Sequence, residues 1–280
     1  MNAPQPALVR PLAALMLRQR IARAFGRSAS SYDRHAALQR QVADSLLAKI
    51  PLQQECEHAL DLGCGTGYSS SILRQRFPAA TVVALDLALP MLKVAQEQLH
   101  GTALTEVALL CADAQTLPLL SDSVDLVFSS LALQWSSEPS RVFAEIERVL
   151  KPGGVALLST LGPATLQELR EAWAAVDQSR HSNEFLPESQ LQQAAASAGL
   201  QMELGQEVKV RHYGSLLELA HELKGLGANV VTTPHADGMT TPSAFKAAAA
   251  AFARLQQAAG IPVQWQIFYL TLRKSEETRP

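Results

Sequence analysis

The stretch Asp61-Leu62-Gly63-Cys64-Gly65-Thr66-Gly67 decides the fold prediction for this sequence. It follows the apolar run Ala59–Leu62, which has the pattern of a buried strand, and it leads into a helical pattern at Tyr68–Phe77. Glycines let the backbone turn tightly and approach a ligand closely. In an open parallel sheet, that ligand lies beyond the carboxyl ends of the strands. The stretch therefore predicts a ligand crevice at the end of the first strand.

Short apolar runs alternate with helical patterns around this stretch, as expected for a parallel sheet that is buried on both faces. The predicted strands are Ala59–Leu62, Thr81–Asp86, Val107–Cys111, Val124–Ser129 and Val155–Thr160. The predicted connecting helices are Tyr68–Phe77, Pro90–Leu99 and Pro139–Leu150, the last of them followed by the stop signal Lys151-Pro152-Gly153-Gly154. We expect an α/β fold with a doubly wound, Rossmann-like sheet.

The pattern changes after Thr160, where helices dominate. The sequence predicts helices at Thr165–Asp177, Pro187–Ala198, Ser215–Leu226 and Ser243–Ala259, and a turn-rich segment at Thr232–Pro242. It also predicts a strand-like segment Gln201–Tyr213 that Gly205 breaks, and a closing strand Val263–Leu272. Because no repeat or linker sets these helices apart, we expect them to form a lid on the sheet.

Composition excludes several classes of protein. The chain has 280 residues, of which 48% are hydrophobic and 18% charged, which favours a packed globule over a disordered chain. The 24 Lys and Arg residues against 26 Asp and Glu give a net charge of −2, so no broadly basic nucleic-acid surface is expected. Cys56, Cys64 and Cys111 form no CxxC pair, so we expect a reducing compartment, no disulfide framework and no zinc site.

The first residues raise the question of targeting. The apolar stretch Leu12–Leu17 is much too short to span a bilayer. The start is free of acidic residues up to Asp33 and resembles a transit peptide, but it continues into the amphipathic run Ala36–Leu47. We therefore expect a cytoplasmic chain with a ragged beginning and no membrane segment.

Three acidic residues lie at the carboxyl ends of three successive predicted strands. Asp61 stands two residues before the first glycine of a GxGxG motif, where it would repel a phosphate but suits the cationic amino group of a methionine-type cofactor. Asp86 can accept hydrogen bonds from ribose hydroxyls, and Asp113 from an adenine amino group. Each acid alone could be a helix cap or a turn residue, but together the three favour a cofactor site.

These features resemble the class I methyltransferases that use S-adenosylmethionine. The resemblance covers Ala59 to about Leu161 and includes Pro118-Leu119 and Leu150-Lys151-Pro152-Gly153-Gly154. It implies a seven-stranded sheet in which Val263–Leu272 is the antiparallel last strand. It also implies cofactor contacts from Asp61, Gly63, Gly65, Gly67, Asp86 and Asp113, with Leu87 and Met91 beside the adenosine.

The flanks are similar to the biotin-pathway methyltransferases that act on malonyl-acyl carrier protein. The similar segments are Ala24-Phe25-Gly26-Arg27, Tyr32-Asp33-Arg34-His35-Ala36, Leu38-Gln39-Arg40-Gln41, Gln134-Trp135, Ala172-Trp173, Ala175-Val176-Asp177, His181, Asn183, Phe185-Leu186-Pro187 and Leu223-Lys224-Gly225-Leu226-Gly227-Ala228-Asn229. One position departs from the pattern, because Glu184 stands where that family leads us to expect a basic residue. The resemblance divides the chain into a helical cap (1–50), an S-adenosylmethionine-binding core (51–162), lid insertions with remaining core elements (163–262) and a last strand with tail (263–280).

The resemblance implies methyl transfer to the free carboxylate of malonyl-acyl carrier protein, or of malonyl-coenzyme A, which gives the methyl ester that starts pimeloyl-moiety synthesis. A carboxylate is already ionised at neutral pH, so we expect no catalytic general base. Neutral donors should hold it, and the candidates are Tyr32, Gln134, Trp135 and Asn183, with His35 and Lys224 as further ones. The acidic carrier protein is expected to meet a local cluster drawn from Arg170, Arg180, Lys224 or Arg254. No metal, nucleic acid or membrane partner is expected.

Other interpretations stay open at this point. The protein could methylate another small metabolite, such as a quinone precursor, or bind S-adenosylmethionine without catalysis as an interaction module. A nicotinamide oxidoreductase fits the glycine spacing less well. Trp135 and Trp173 could simply bury area, and His35 and His181 could cap or bridge helices. A metalloenzyme or an α/β-hydrolase is not indicated, since neither paired metal-binding histidines nor a G-x-S-x-G motif is present.

Overall fold

A computed structural model describes residues 9–100, 107–176, 181–230 and 241–276. Within these ranges the strands form one seven-stranded sheet in the order β3-β2-β1-β4-β5-β7-β6. The strands are β1 His58–Leu62, β2 Thr81–Asp86, β3 Val107–Cys111, β4 Val124–Ser130, β5 Leu150–Leu161, β6 Gln201–Tyr213 and β7 Ile261–Arg273. The first five pair in parallel, and β7 runs antiparallel to both β5 and β6. The doubly wound sheet with an antiparallel last strand is confirmed.

Helices cover both faces of this sheet. They are α1 Val9–Ser28, α2 Tyr32–His35, α3 Ala37–Leu47, α4 Tyr68–Arg76, α5 Leu89–His100, α6 Pro139–Val149, α7 Gln167–Ala174, α8 Glu188–Ala198, α9 Leu216–Gly225 and α10 Pro242–Ala253, with a short 3-10 helix at Leu133–Trp135. Successive strand residues point to opposite faces, so Ala59 packs in one apolar cluster with α3 and Leu60 in another with α6. The core therefore lies in two layers, one on each side of the sheet.

Two strand predictions were wrong in detail. Gly205 does not break β6, since it pairs in register with Tyr269 of β7, and a Cβ at Gly205 would meet nothing within 4 Å. A glycine at the sheet edge removes no packing there, so the ladder continues through it. The strand β5 begins at Leu150 rather than at Val155, because the Lys-Pro-Gly-Gly segment already runs beside β4, with a register shift.

Two lid helices are shorter than predicted. The helix α7 begins only at Gln167, since Leu166 before it adopts a left-handed conformation with φ of 59°. The helix α10 ends at Ala253, and Gln257 pairs with Gly260 in a turn where the sequence suggested a continuing helix. Asp177 and most of the turn-rich segment lie outside the described residues.

A long helix opens the described part of the chain. Residues 9–28 form the helix α1, which packs against α5 and buries Ile21 and Ala24 in a cluster with Val230. The spacing of Ile21, Ala24 and Phe25 gives the helix an apolar face. The expected ragged beginning stays a prediction, because residues 1–8 lie outside the described ranges. Across the described part of the chain, the helices are all too short or too polar to cross a membrane.

Candidate active site at the carboxyl edge of the sheet

The glycine loop after β1 is held against β2 by its backbone. The amides of Gly63 and Cys64 both donate to the carbonyl of Leu85, over 2.8 and 2.9 Å. Gly63 has a φ of +78°, and a Cβ there would lie 2.4 Å from the Cβ of Ala132. A side chain at this position would therefore meet both backbone strain and a steric clash. The close approach of the loop to the chain after β4 closes one end of a cleft.

Asp86 lies in this cleft at the end of β2. One carboxylate oxygen accepts from the amide of Gly65 at 2.9 Å, and the other accepts from the amide of Ala88 at 2.8 Å. Burial raises the pKa of Asp86, although these amides oppose the shift. The two bonds fix the carboxylate at the cleft wall, where it can still accept hydrogen bonds from a ligand.

Asp113 also lines the cleft, two residues after the neighbouring strand β3. It accepts from the amide of Gln115 at 2.9 Å, and the guanidinium of Arg18 lies 2.8 Å from its other oxygen. Arg18 belongs to α1, so this ion pair joins the N-terminal helix to the strand edge. Arg18 could not be predicted from the sequence, because a single arginine on a helix is most often only solvated.

Apolar side chains complete the walls of this cleft. Leu87 lines it just after β2 and Met91 from the first turn of α5, and Ile21 and Phe25 line it from α1. Gly67 is not among the lining residues: a Cβ there would lie 3.1 Å from the Cβ of Ala95, so its contribution is the close packing of α5. The cleft thus pairs two fixed carboxylates with a flat apolar wall.

Asp61 opens into a neighbouring cavity that shares Tyr32, Gly63 and Gly65 with the cleft. Its carboxyl group is almost fully buried and accepts a 2.5 Å hydrogen bond from the hydroxyl of Ser70. Burial raises its pKa to about 7, with a further contribution from the negative charge of Asp86. A cation bound in this cavity would stabilise the ionised form of Asp61 and so lower its pKa again.

A small gap of 50 Å³ lies between the cleft and the lid. Its walls are mostly apolar, and Tyr32, Gln134 and Trp135 are among the side chains that bring polar groups to it. Burial and the charges of Asp86 and Asp33 raise the pKa of Tyr32, so its phenol stays protonated and able to donate. Gln134 is held in place because its amide donates to the carbonyl of Leu131 at 2.7 Å and accepts from Thr160 at 3.2 Å. The gap has room for a group of a few atoms.

A larger cavity of 320 Å³ lies under the lid helices, and Trp135 and Trp265 border both it and the gap. Its walls are mostly apolar, and Trp173 stacks on His181 with 3.6 Å between ring centroids. Asn183 is buried there and donates to the carbonyl of Val230 at 2.9 Å. We call this space the lid cavity.

Glu184, which stands where the similar family leads us to expect a basic residue, lies outside the lid cavity. Asn183 and Phe185 on either side line the lid cavity, whereas Glu184 is exposed and does not line it. The side chain at this position therefore points away from the space in which a substrate would lie. The acidic residue does not place a charge against an acidic ligand in that cavity.

Two of the predicted substrate contacts lie away from these spaces. The ring of His35 packs against α9, where a Cβ on Gly225 would lie 2.3 Å from it. The side chain of Lys224 is exposed, and its carbonyl accepts from the hydroxyl of Ser28 at 3.1 Å. Neither residue lines the cavities found in the described ranges of the chain. Both instead mark the contact of the N-terminal helices with α9.

Comparison with known proteins agrees with this architecture. A family model described as a methyltransferase domain matches residues 60–158. The structure of Haemonchus contortus phosphoethanolamine N-methyltransferase 2 in complex with S-adenosyl-L-methionine aligns with a TM-score of 0.55 at 21% identity, covering 88% of this chain and 56% of that chain. The fold and the cleft define a class I S-adenosylmethionine-dependent methyltransferase.

Similar curated proteins show to which family of methyltransferases the chain belongs. The chain is 38% identical to malonyl-acyl-carrier protein O-methyltransferase of Laribacter hongkongensis, over 90% of this chain and 88% of that protein. It is 40% identical to the biotin biosynthesis bifunctional protein BioHC of Cellvibrio japonicus over 94% of this chain, but it spans only 51% of that longer protein. This chain belongs to the malonyl-acyl-carrier protein O-methyltransferase family.

Proposed function

We propose that this protein transfers the methyl group of S-adenosylmethionine to the free carboxylate of malonyl-acyl carrier protein. The product is the methyl ester that starts pimeloyl-moiety synthesis for biotin. The observation that carries the proposal is that three spaces adjoin one another: Tyr32 and Trp135 border both the cleft and the gap, and Trp135 also borders the lid cavity. A cofactor in the cleft and an acyl group under the lid would meet at the gap.

The residues of the cleft fit the cofactor. Asp86 can accept from the ribose hydroxyls and Asp113 from the adenine amino group, while Leu87 and Met91 offer an apolar wall to the adenosine. Asp61 offers a carboxylate to the amino group of the methionine moiety. When bound, S-adenosylmethionine supplies an electrophilic methyl group on a sulfonium centre.

The gap suits a carboxylate that acts as a nucleophile. The free carboxylate of a malonyl group has a pKa near 4, so it is ionised at neutral pH and no residue needs to remove a proton. Tyr32 and Gln134 are neutral donors, and within the described chain the lining of the gap holds no lysine or arginine. A neutral donor orients the oxygen without the tight ion pair that would lower its reactivity.

The rate of methyl transfer then depends on how the reacting atoms are aligned. The oxygen, the methyl group and the sulfur must lie in line, and such positioning can supply up to about 7–11 kcal/mol. The lid cavity would hold the thioester portion behind the carboxylate, with Asn183 as its polar contact. A cytoplasmic location is part of the proposal, supported by the free thiols of Cys56, Cys64 and Cys111. The proposed transfer needs no metal, because the carboxylate is already ionised.

A mass-spectrometric assay tests the reaction. Purified protein is incubated with S-adenosylmethionine and malonyl-acyl carrier protein, with acetyl-acyl carrier protein as the control that lacks a free carboxylate. We expect a gain of one methyl group on the malonyl form alone. If no methyl group is gained while S-adenosylmethionine still binds, the cofactor assignment stands and the substrate assignment is rejected. Other acids and phenols would then be tested as substrates.

Substitutions test the gap. We expect Tyr32→Phe and Gln134→Ala each to lower the rate at saturating malonyl substrate by about tenfold, because each removes one hydrogen bond to the reacting carboxylate. Tyr269→Phe is the matched control, since its hydroxyl pairs with Glu207 at 2.9 Å, away from these cavities. If Tyr32→Phe and Gln134→Ala both leave the rate unchanged, the carboxylate lies in another pocket.

A further inference from the structure

The exposed face of α1 carries an ordered set of side chains. Leu12 and Met16 are 59% and 58% exposed, and Arg20, Arg23 and Arg27 follow at intervals of three or four residues. This spacing places the five residues on one side of the helix. We call Arg20, Arg23 and Arg27 the arginine stripe.

The arginine stripe is unpaired within the described chain. No carboxylate there lies within ion-pair distance of its three guanidinium groups, and the helix itself contains no acidic residue. Arg18, on the other side of the same helix, shows the contrast, because it is paired with Asp113. Three unpaired charges in one row produce a local positive potential that the net charge of −2 conceals.

The stripe lies next to the proposed reaction site. The buried side of α1 contributes Ile21 and Phe25 to the cofactor cleft, so the helix is the outer wall of that cleft. Arg23 and Arg27 border an open groove whose other side includes Leu89, which is 53% exposed. The surface therefore offers cations beside exposed apolar side chains at the edge of the site.

We propose that this face of α1 is the docking surface for the carrier protein. The inference rests on the proposed function, in which the substrate is presented by an acidic protein. An acidic surface would meet the arginine stripe, and its apolar parts would meet Leu12, Met16 and Leu89. Docking on the outer wall of the cleft brings the attached acyl group close to the entrance of the site.

The cluster expected from the sequence alone is less suitable. The guanidinium of Arg170 donates to the carbonyls of Pro163 and Thr165, so it is committed within the lid. Arg254 follows α10, and Arg180 lies outside the described residues. Lys224 alone adjoins the stripe, since the hydroxyl of Ser28 at the end of α1 donates to its carbonyl.

Charge reversal on α1 tests the surface. We compare Arg23→Glu/Arg27→Glu with the matched control Lys246→Glu/Arg254→Glu, which changes the net charge equally at exposed positions of α10 and its C-cap. Methyl transfer is measured for malonyl-acyl carrier protein and for malonyl-coenzyme A, which has no protein surface to dock. We expect the α1 variant to raise KM for the carrier protein about tenfold, and to leave the kinetics with malonyl-coenzyme A within about twofold.

The outcomes separate this inference from the proposed function. Failure of the unmodified protein to methylate the carrier-bound malonyl group would reject the function. If the unmodified protein is active, two results would reject the docking surface alone. One is an unchanged KM for the carrier protein in the α1 variant, and the other is an equal rise of this KM in the control variant. The α1 variant could instead keep its KM and lose binding to anionic phospholipid vesicles, or lose a dimer. The arginine stripe would then bind a lipid surface or a second copy of the chain, and the proposal would be overturned.

Discussion

The strand-end edge and the helical cover of this molecule build the site in different ways. At the edge, Asp61, Asp86 and Asp113 belong to β1 and β2 or follow β3, and the loop beside them is held by backbone hydrogen bonds. In the cover, Tyr32, Trp135 and Asn183 come from segments far apart in the chain and meet only through packing. The proposed cofactor side is therefore encoded locally, whereas the proposed substrate side depends on tertiary structure.

Breaking the glycine loop should give the largest effect. Gly63→Ala adds left-handed strain of about 1–2 kcal/mol. It also sets a Cβ 2.4 Å from that of Ala132. We expect it to lower the free energy of unfolding by about 3 kcal/mol or more and to abolish cofactor binding. Denaturant unfolding and calorimetric titration with S-adenosylmethionine measure the two losses.

Gly65→Ala is the control for this change. Gly65 also has a positive φ, +55°, but a Cβ there would meet nothing within 4 Å. Its substitution should lower the free energy of unfolding by only about 1 kcal/mol. Equal losses for the two variants would mean that backbone strain, rather than the contact with Ala132, makes glycine necessary in the loop.

The fold was predictable where one local signal decides each element. The apolar runs of β1 to β4 and the glycines between β1 and α4 give strands and turns without reference to the rest of the chain. Gly205 and the helix predicted to reach Ala259 failed because their outcome depends on neighbours. Pairing with β7 carries the strand through Gly205, and a turn closed by Gly260 follows the shortened α10.

The site follows the same rule. Asp86 and Asp113 were predicted because they end or follow strands whose ends share one edge of the sheet, and both line the cleft. Arg18 and Trp265 were missed, since neither has a spacing that distinguishes it from a solvated or a core residue. His35 and Lys224 were placed by resemblance, and the fold puts them at the contact with α9 rather than in a cavity.

The pH dependence of S-adenosylmethionine binding tests the role of Asp61 at the strand-end edge, and we expect an effect of intermediate size. Because the pKa of Asp61 is about 7 in the free protein, its carboxyl group is increasingly protonated below that pH. An ammonium ligand needs the ionised form, so we expect the affinity for S-adenosylmethionine to fall by up to about tenfold for each pH unit below 7. Titration calorimetry between pH 5 and about 8 measures this dependence.

The same group has the opposite effect on stability. Its pKa in the folded protein lies above the ordinary value of 3.8, so the folded state binds the proton more tightly. The stabilising contribution of the protonated group is full below about pH 4 and is lost as the pH rises towards 7. Asp61→Asn should remove both dependences. A pH dependence of cofactor affinity that persists in this variant would assign it to another group.

The ion pair of Arg18 with Asp113 joins the two regions, and its removal should have the smallest effect. The side chains are 26% and 24% exposed, so the pair is partly screened by solvent and contributes about 0.5–1 kcal/mol. We expect Arg18→Met to weaken S-adenosylmethionine binding about two- to fivefold, because α1 then holds the cleft wall less firmly.

A double-mutant cycle decides whether the pair itself carries that effect. If it does, Arg18→Met should cause no further loss in an Asp113→Asn background. Arg20→Met controls for the change in charge on the same helix, and it should leave cofactor affinity unchanged because Arg20 faces solvent. Additive losses in the cycle would mean that Arg18 acts on the cleft independently of Asp113. The cover would then contribute to cofactor binding through packing alone, and the two regions would be joined only by the apolar face of α1.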